Sequence, residues 1–406
     1  IRDARIDLIL DHAGRSVPYY RELFRNLGIG PEDVRGYADL PKLPVLTKRR
    51  ILEHPAELLA LGWRGRTFER KTSGSTGLTL HFKKDAEALA MNDAIMYRCY
   101  AWYGIEVGDR QARFWGVPVV PRLRLREQWK DLAANRIRIS AFDIADRTVA
   151  NEYGRIRRFG PAYFYGYTSA IYGFAIVAKR LGLDLKSLDL KAVICTAEKM
   201  YPQHRSVLEE SFACPVVDEY GSSENGVIAF QCGRGRMHMM ADHLAIEFVD
   251  SEGERVGPGE LGRILVTDLA GYAMPLIRYE IGDVGKYTDE SCDCGLQLPV
   301  MQIVEGRTED FIRTPSGKLV HAAYLCYTLK DDAVTEFKMY QKALDSLLVQ
   351  IVRSGTFAAG TESRLERNIR SALGEQVHIT FEYLEAIPRE PSGKLRYFVS
   401  EVGGAA

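Results

Sequence analysis

The sequence predicts an α/β protein with a partly parallel sheet, followed by a strand-rich stretch and a small α+β segment at the C-terminal end. Three observations carry this. Strand-sized apolar runs alternate with helical ones after Tyr103, in the order ARFWGVPVV, AYFYGY, SAIYGFAIVAKRLG, KAVICTA, HRSVLEESF and CPVVDEYG, as chains built from βαβ units do. From Val227 to Tyr287 the pattern changes to closely spaced strands with Gly-rich turns, as in LAIEFVDSEGERVGPGELGRILVTDL. The closing residues hold two strand runs, EFKMYQ and SLLVQIVRSG, a charged helix, TESRLERNIRSALG, and a strand-like stretch ending in PREPSGKLRYF.

The elements at the N-terminal end follow from local signals. Residues 1–25 read as helical, since Ile6, Leu8, Ile9 and Leu10, then Tyr19, Tyr20, Leu23 and Phe24, are spaced for one face, and Pro18 divides two pieces. In LPKLPVLTKRRILE two prolines predict an extended segment and Thr47 the N-cap of the next helix. Ala86 to Tyr103 reads as a helix. The chain carries no internal repeat and no low-complexity tract.

Composition bounds the function. The 406 residues suffice for two or three domains, and 46% hydrophobic with 27% charged residues is ordinary for a globular protein. Lys plus Arg and Asp plus Glu both number 54, a net charge of zero, which argues against nucleic acid as the main partner. A membrane span needs about 18 consecutive apolar residues, and the sequence has no such run and no signal-peptide pattern. A cytoplasmic protein is expected. The cysteine count of 7 is odd, which disfavours a disulfide framework.

Two clusters carry chemistry. In KTSGSTGLTLHFKKD, Thr72, Ser73, Gly74, Ser75, Thr76 and Gly77 precede an apolar and basic run. A flexible linker, a tight turn and a phosphate cradle, in which glycines let backbone N–H groups approach an anion, all fit this loop alone. It matches neither the Walker pattern, because Leu78 follows Gly77, nor the dinucleotide fingerprint. The second cluster pairs Cys232 and His238 with Cys292 and Cys294. Three sulfurs and an imidazole make a tetrahedral zinc set; reduced surface thiols are the alternative, and His243 is a competing ligand.

Four further segments line up in order: VVDEYGSSE, MPLIRYEIGDVG, VEGRTEDFI and PREPSGKLRYF. Each alone reads as a solvated turn. Together with VPYYRELF, LPKLPVLTK and TSGSTG the series resembles the adenylate-forming enzymes, which include acyl-CoA synthetases and firefly luciferase, and within them the phenylacetate-CoA ligase branch with its capsule-biosynthesis relatives. The resemblance covers nearly the whole chain. It implies a large N-terminal domain at 1–305, with a β-rich subdomain at about 227–300, and a small mobile C-terminal domain at 306–406.

The resemblance also assigns roles. Residues 72–77 would hold the β and γ phosphates of ATP, Glu224 would help hold Mg²⁺, and Tyr220, with Gly221 and Ser222 beside it, would lie against the adenine. Ala197 and Glu198 fall in the adenine-contacting segment, where Thr196 replaces the usual glycine. Asp283 and Arg307 would bind the ribose. Lys394 would supply charge at the reacting phosphate, and Glu309 would be the hinge. Similar zinc-ligating residues occur in relatives of this branch, where a closed site would be structural.

The implied reaction adenylates a small aromatic carboxylic acid and passes the acyl group to coenzyme A. FWGVP and YFYGYTSAIYGF supply aromatics for that acid pocket, though core packing accounts for them equally. The segment after the hinge, IRTPSGKLVHAAYLCYTL, lacks the Arg-Gly pair and later proline usual in phenylacetate-CoA ligases. An amine or hydroxyl acceptor in natural-product or polysaccharide biosynthesis is therefore the alternative. A zinc-stabilised binding protein without catalysis is the reading from another class.

Overall fold

The computed structural model describes the chain apart from residues 1, 72–79, 117–120, 142–144, 308–310, 317–318, 322–324, 326–328, 330–332, 389–396 and 403–406. It divides into two units, one of Ile1–Ile281 with Gly285–Ile303, the other of Gly282–Val284 with Val304–Ala406.

The first unit opens with α1 (Arg2–Ser16) and α2 (Pro18–Leu27). Pro18 occupies the first turn of α2, where its missing N–H costs nothing, and Gly28 at φ +67° closes the helix in the left-handed region. The proline segment that follows is not extended throughout. Leu40–Lys42 form a 3₁₀ turn that places Pro41 in its first turn, and only from Leu43 does the backbone extend. Thr47 caps α3 (Lys48–Glu53), its hydroxyl accepting from the Arg50 amide at 3.3 Å. Strands β1 (Thr67–Lys71) and β2 (His81–Asp85) form an antiparallel hairpin. Asp85 then caps α4 (Ala86–Ala101) by accepting from the Ala88 amide at 2.8 Å.

An alternating series follows: β3 (Gln111–Trp115), α5 (Pro121–Ala133), β4 (Arg136–Ser140), α6 (Asp146–Phe159), β5 (Tyr163–Tyr167), α7 (Thr168–Arg180), β6 (Ala192–Thr196), α8 (Pro202–Phe212) and β7 (Val216–Ser222). The strands of this series pair in parallel in the order β4-β3-β5-β6-β7. The strand-rich stretch supplies β8 (Gly226–Gln231), β9 (Met237–Met239), β10 (Leu244–Val249), β11 (Gly262–Asp268), β12 (Tyr279–Thr288) and β13 (Val300–Arg307). These build no sheet of their own. Because β8 turns back on β7 antiparallel, they extend the parallel strands into one 11-stranded sheet, β10-β11-β12-β13-β9-β8-β7-β6-β5-β3-β4.

The parallel half is covered on both faces, as such sheets require. Phe114, Phe164, Val193 and Cys195 face the apolar sides of α6, α7 and α8 through Ile156, Phe174 and Phe212. On the other face Tyr163, Ile194 and Val217 pack with Ile95, Cys99 and Tyr100 of α4.

In the second unit β14 (Phe311–Arg313) pairs with β15 (Leu319–His321). A four-stranded sheet of β16 (Val334–Ala343), β17 (Ser346–Arg353), β18 (His378–Tyr383) and β19 (Phe398–Ser400) has the order β18-β17-β16-β19. Helix α9 (Thr361–Leu373) lays Leu365, Ile369 and Leu373 into the same core as Met339, Val349 and Ile351.

Candidate active site and metal centre

Thr72, Ser73, Gly74, Ser75, Thr76 and Gly77 lie outside the described residues, as do Glu309 and Lys394. Arg307 ends β13, its side chain likewise outside. The hairpin on either side of residues 72–79 is described. It runs from Thr67↔Asp85 to Lys71↔His81, so the chain leaves and re-enters at one point. Lys84 is buried and meets the buried Asp268, at the end of β11, at 2.9 Å. Asp85 accepts from the amides of Tyr272 and Ala273 at 2.9 and 3.0 Å. Buried charges persist only when paired, so these contacts fix the loop's base to the sheet.

Ala197, Glu198, Tyr220, Gly221, Ser222 and Glu224 lie where β6 and β7 end, the edge at which doubly wound sheets bind ligands. Ala197 follows β6 at φ +64°, a conformation uncommon for a residue with a Cβ. The segment is clamped by its neighbour: the Glu198 carboxylate accepts from the Ser169 amide at 2.7 Å, and the Thr168 hydroxyl donates to the Glu198 carbonyl at 3.3 Å. An anion is favoured at the N-terminus of α7 by the helix dipole, so this glutamate locks the segment in place. On β7 the register shifts between Tyr220 and Gly221. A Cβ on Gly221 would stand 2.5 Å from the Gly226 carbonyl oxygen, so only glycine fits this bulge. The Ser222 hydroxyl accepts from the Asn225 amide at 3.1 Å and closes the turn.

Glu224 is buried, and the Tyr279 hydroxyl donates to its Oε1 at 2.9 Å. Among the described residues its partner is thus a neutral hydroxyl and not a cation, a donor set that suits a carboxylate meant for a hard divalent ion such as Mg²⁺. Tyr279 follows Arg278, which sits at φ +51° and is 1% exposed. The Arg278 guanidinium pairs with buried Glu247 at 3.1 Å and donates to the carbonyls of Gly253, at 2.7 Å, and Leu43. Asp283 lies half-buried further along β12.

Beside Tyr220 the chain buries a second carboxylate. Glu219 accepts from the hydroxyls of Tyr165 at 3.1 Å and Tyr100 at 3.3 Å, and burial raises its carboxyl above the usual range despite those bonds. Trp115 and Tyr167, with ring centroids 4.2 Å apart, continue this face of the sheet. The aromatics read from YFYGYTSAIYGF divide: Phe164 and Phe174 are core, whereas Tyr165 faces Glu219.

Cys232, His238, Cys292 and Cys294 come together, their ligand atoms all within 4.8 Å of one another. The Cys232 and Cys292 sulfurs are 3.8 Å apart. Tetrahedral zinc with bonds of about 2.3 Å sets its sulfurs about 3.8 Å apart. Cys294 Sγ is 3.2 Å from His238 Nε2, and His238 Nδ1 meets the Leu298 carbonyl at 3.0 Å, the outer contact that aims an imidazole at a metal. His243 is not in the cluster: it stands beside Asp242, 3.7 Å away. No helix among the described residues is long and apolar enough to cross a membrane.

Sequence reading did not reach Tyr279, Glu219 or the anchor Lys84. Tyr279 lies inside PLIRYEIGD, and a buried partner for Glu224 was the signal that could have found it.

Comparison with known proteins defines the class. The structure resembles that of 2-hydroxyisobutyryl-CoA ligase in the postadenylation state in complex with R3-HIB-AMP, with a TM-score of 0.77 and 20% identity over 98% of this chain and 89% of that one. The fold is that of the adenylate-forming enzymes. Within that class, residues 312–401 match the CapK C-terminal domain family. The chain is 21% identical to protein CapK of Staphylococcus aureus over 415 residues, 99% of this chain and 89% of that protein. It is 26% identical to the phenylacetate-coenzyme A ligase of Thermus thermophilus over 322 residues, 77% and 71% of the two chains. Its relatives therefore lie in the CapK and phenylacetate-CoA ligase branch.

Proposed function

We propose that this AMP-forming ligase adenylates a small carboxylic acid and then transfers the acyl group to coenzyme A. The acid's carboxylate oxygen attacks the α-phosphorus of ATP, the bond to the β-phosphate oxygen breaks, and acyl-AMP and pyrophosphate result. The thiol then displaces AMP from the acyl carbon. Attacking and leaving groups are all anionic, so catalysis consists of positioning and charge compensation.

The observation that carries the reading is buried Glu224, oriented by Tyr279 at the bulged end of β7. Around it, Thr72–Gly77 hold the leaving phosphates, Tyr220 and the Ala197–Glu198 segment border the adenine, and Asp283 and Arg307 bind the ribose. Glu224 would hold Mg²⁺, whose charge would offset that of the phosphates. Lys394 acts at the reacting phosphate, on a C-terminal domain that pivots at Glu309. The zinc of the four-ligand cluster is structural. The aromatic face around Trp115 and Tyr167 favours an aryl or arylalkyl acid.

A second reading keeps the acyl-AMP step and changes the acceptor to an amine or hydroxyl. The match of residues 312–401 to the CapK C-terminal domain favours it. Pyrophosphate release across a panel of acids, with mass spectrometry of products in the presence and absence of coenzyme A, separates the two. Acyl-CoA supports the first reading; acyl-AMP that accumulates regardless of coenzyme A supports the second. Lys394→Ala is expected to lower pyrophosphate formation by roughly 10²-fold or more while ATP affinity changes far less. Retained turnover removes that lysine from the mechanism.

A further inference from the structure

Resting on the ligase reading, we propose that the acid this chain adenylates carries a hydroxyl group, and that Gln111 and Arg113 select it. Both residues lie on β3, two positions apart and so on one face of the sheet, the face covered by α4. Trp115 continues the same row toward the strand end where Thr196, Glu219 and Tyr220 sit.

Between α4 and the sheet is a cavity of about 70 Å³ lined by Tyr97, Tyr100, Gln111, Arg113, Tyr163 and Tyr165. Its polar groups are incompletely matched. Gln111 is 8% exposed; its Nε2 donates to the Tyr163 hydroxyl at 2.8 Å, while its Oε1 meets no donor among the described residues. The Arg113 guanidinium lies over the Trp115 and Tyr165 rings, 4.7 and 5.2 Å from their centroids, and its buried Nε meets no acceptor. Buried polar groups in folded proteins are nearly always paired, so an open acceptor and an open donor on one cavity wall mark a place for a bound group.

The chemistry of that group follows from what it must do. It has to donate to Gln111 Oε1 and accept from Arg113 Nε, and a hydroxyl is the smallest uncharged substituent of an acid that does both. A methyl does neither. A second carboxylate would satisfy Arg113, but it would confront the Gln111 oxygen and stand near Glu219, whose partners Tyr100 and Tyr165 line the same cavity, and the cavity's other guanidinium, Arg136, is already paired with Asp131 at 2.6 Å. With aromatic rings on the walls, the substrate class is a hydroxylated aryl or arylalkyl acid. Arg113 and Gln111 act as specificity residues.

The test measures kcat/KM for pyrophosphate release on paired acids, benzoate and phenylacetate against their ring-hydroxylated counterparts. A site built to pair a hydroxyl rejects the analogue that lacks it, so a preference of at least about tenfold is expected in the wild type. In Arg113→Met and Gln111→Leu that ratio should collapse toward one, with melting temperatures recorded beside the kinetics. Equal use of both members of each pair by the wild type overturns the proposal, whatever the variants do. So does loss of both members by the same factor in well-folded variants. Absence of pyrophosphate with every acid overturns the ligase reading itself, whereas turnover without preference overturns only the hydroxyl.

Discussion

At the residue scale the site depends on how one buried carboxylate is aimed. Glu224 has the Tyr279 hydroxyl as its partner at 2.9 Å, and Tyr279 follows Arg278, whose guanidinium is anchored by its ion pair with Glu247. Tyr279→Phe keeps the ring and removes the donor. A hydrogen bond to a charged group contributes about 1.5–3 kcal/mol. The variant should therefore release pyrophosphate roughly tenfold more slowly and require more Mg²⁺ to reach half its maximal rate. Titrating activity against Mg²⁺ checks this, and an unchanged rate with an unchanged Mg²⁺ midpoint would remove Tyr279 from the site. Glu224 and Tyr220 stand out as candidates in the sequence because a short linear pattern, YGSSE, contains them. Tyr279, Gln111 and Arg113 do not, because each matters through a partner or cavity wall that only strand pairing brings near. The candidate zinc ligands stand between these cases: residue type suggests them, but only the fold brings Cys232 to Cys292.

At the element scale, local signals fixed boundaries where one residue decides them, as Pro18 does for α2 and Thr47 for α3. They failed where tertiary contacts decide. Prolines in LPKLP were compatible with either an extended segment or a 3₁₀ turn, and nothing local told β8–β13 to extend the parallel strands into one sheet. Helix α4 shows such a contact. Arg98 pairs in a fork with Asp242, in the loop between β9 and β10, while the Asp242 carbonyl accepts from Arg5 of α1 at 2.9 Å. Burial alone would raise the Asp242 carboxyl, but His243, 3.7 Å away, and the Arg98 fork outweigh it and hold the group well below the usual carboxylate range. A depressed folded-state pKa contributes stability above the unfolded value, about 3.9, and loses it as pH falls further. Wild type should therefore exceed Asp242→Asn in stability at neutral pH, and the gap should narrow below about pH 4. Denaturant melts of both proteins at a series of pH values measure that gap, and one that is constant down to pH 2 would refute the assignment.

At the scale of the whole molecule, the cluster of Cys232, His238, Cys292 and Cys294 brings together segments far apart in the chain, so a zinc held there would cross-link them. Cys232 and His238 flank the turn from β8 to β9, whereas Cys292 and Cys294 lie in the connection from β12 to β13. The spacing predicts nothing about this closure, because neither half resembles a zinc finger; it follows from β13 pairing with β9 at Val300↔His238, which carries the later loop onto the earlier one. A metal bound only by the folded state adds its binding free energy to folding stability. Purified protein should contain about one zinc per chain by elemental analysis, as a closed four-ligand site requires. Cys292→Ser, or prolonged exposure to a strong chelator, should remove the metal and lower the melting temperature by several degrees, roughly 4 °C or more. Because the ligands stand outside the proposed acid and nucleotide pockets, the loss of activity should follow the loss of folded protein and not precede it. Wild-type protein that is metal-free and equally stable would sink the site, and activity that falls before unfolding would move the metal from structure into catalysis.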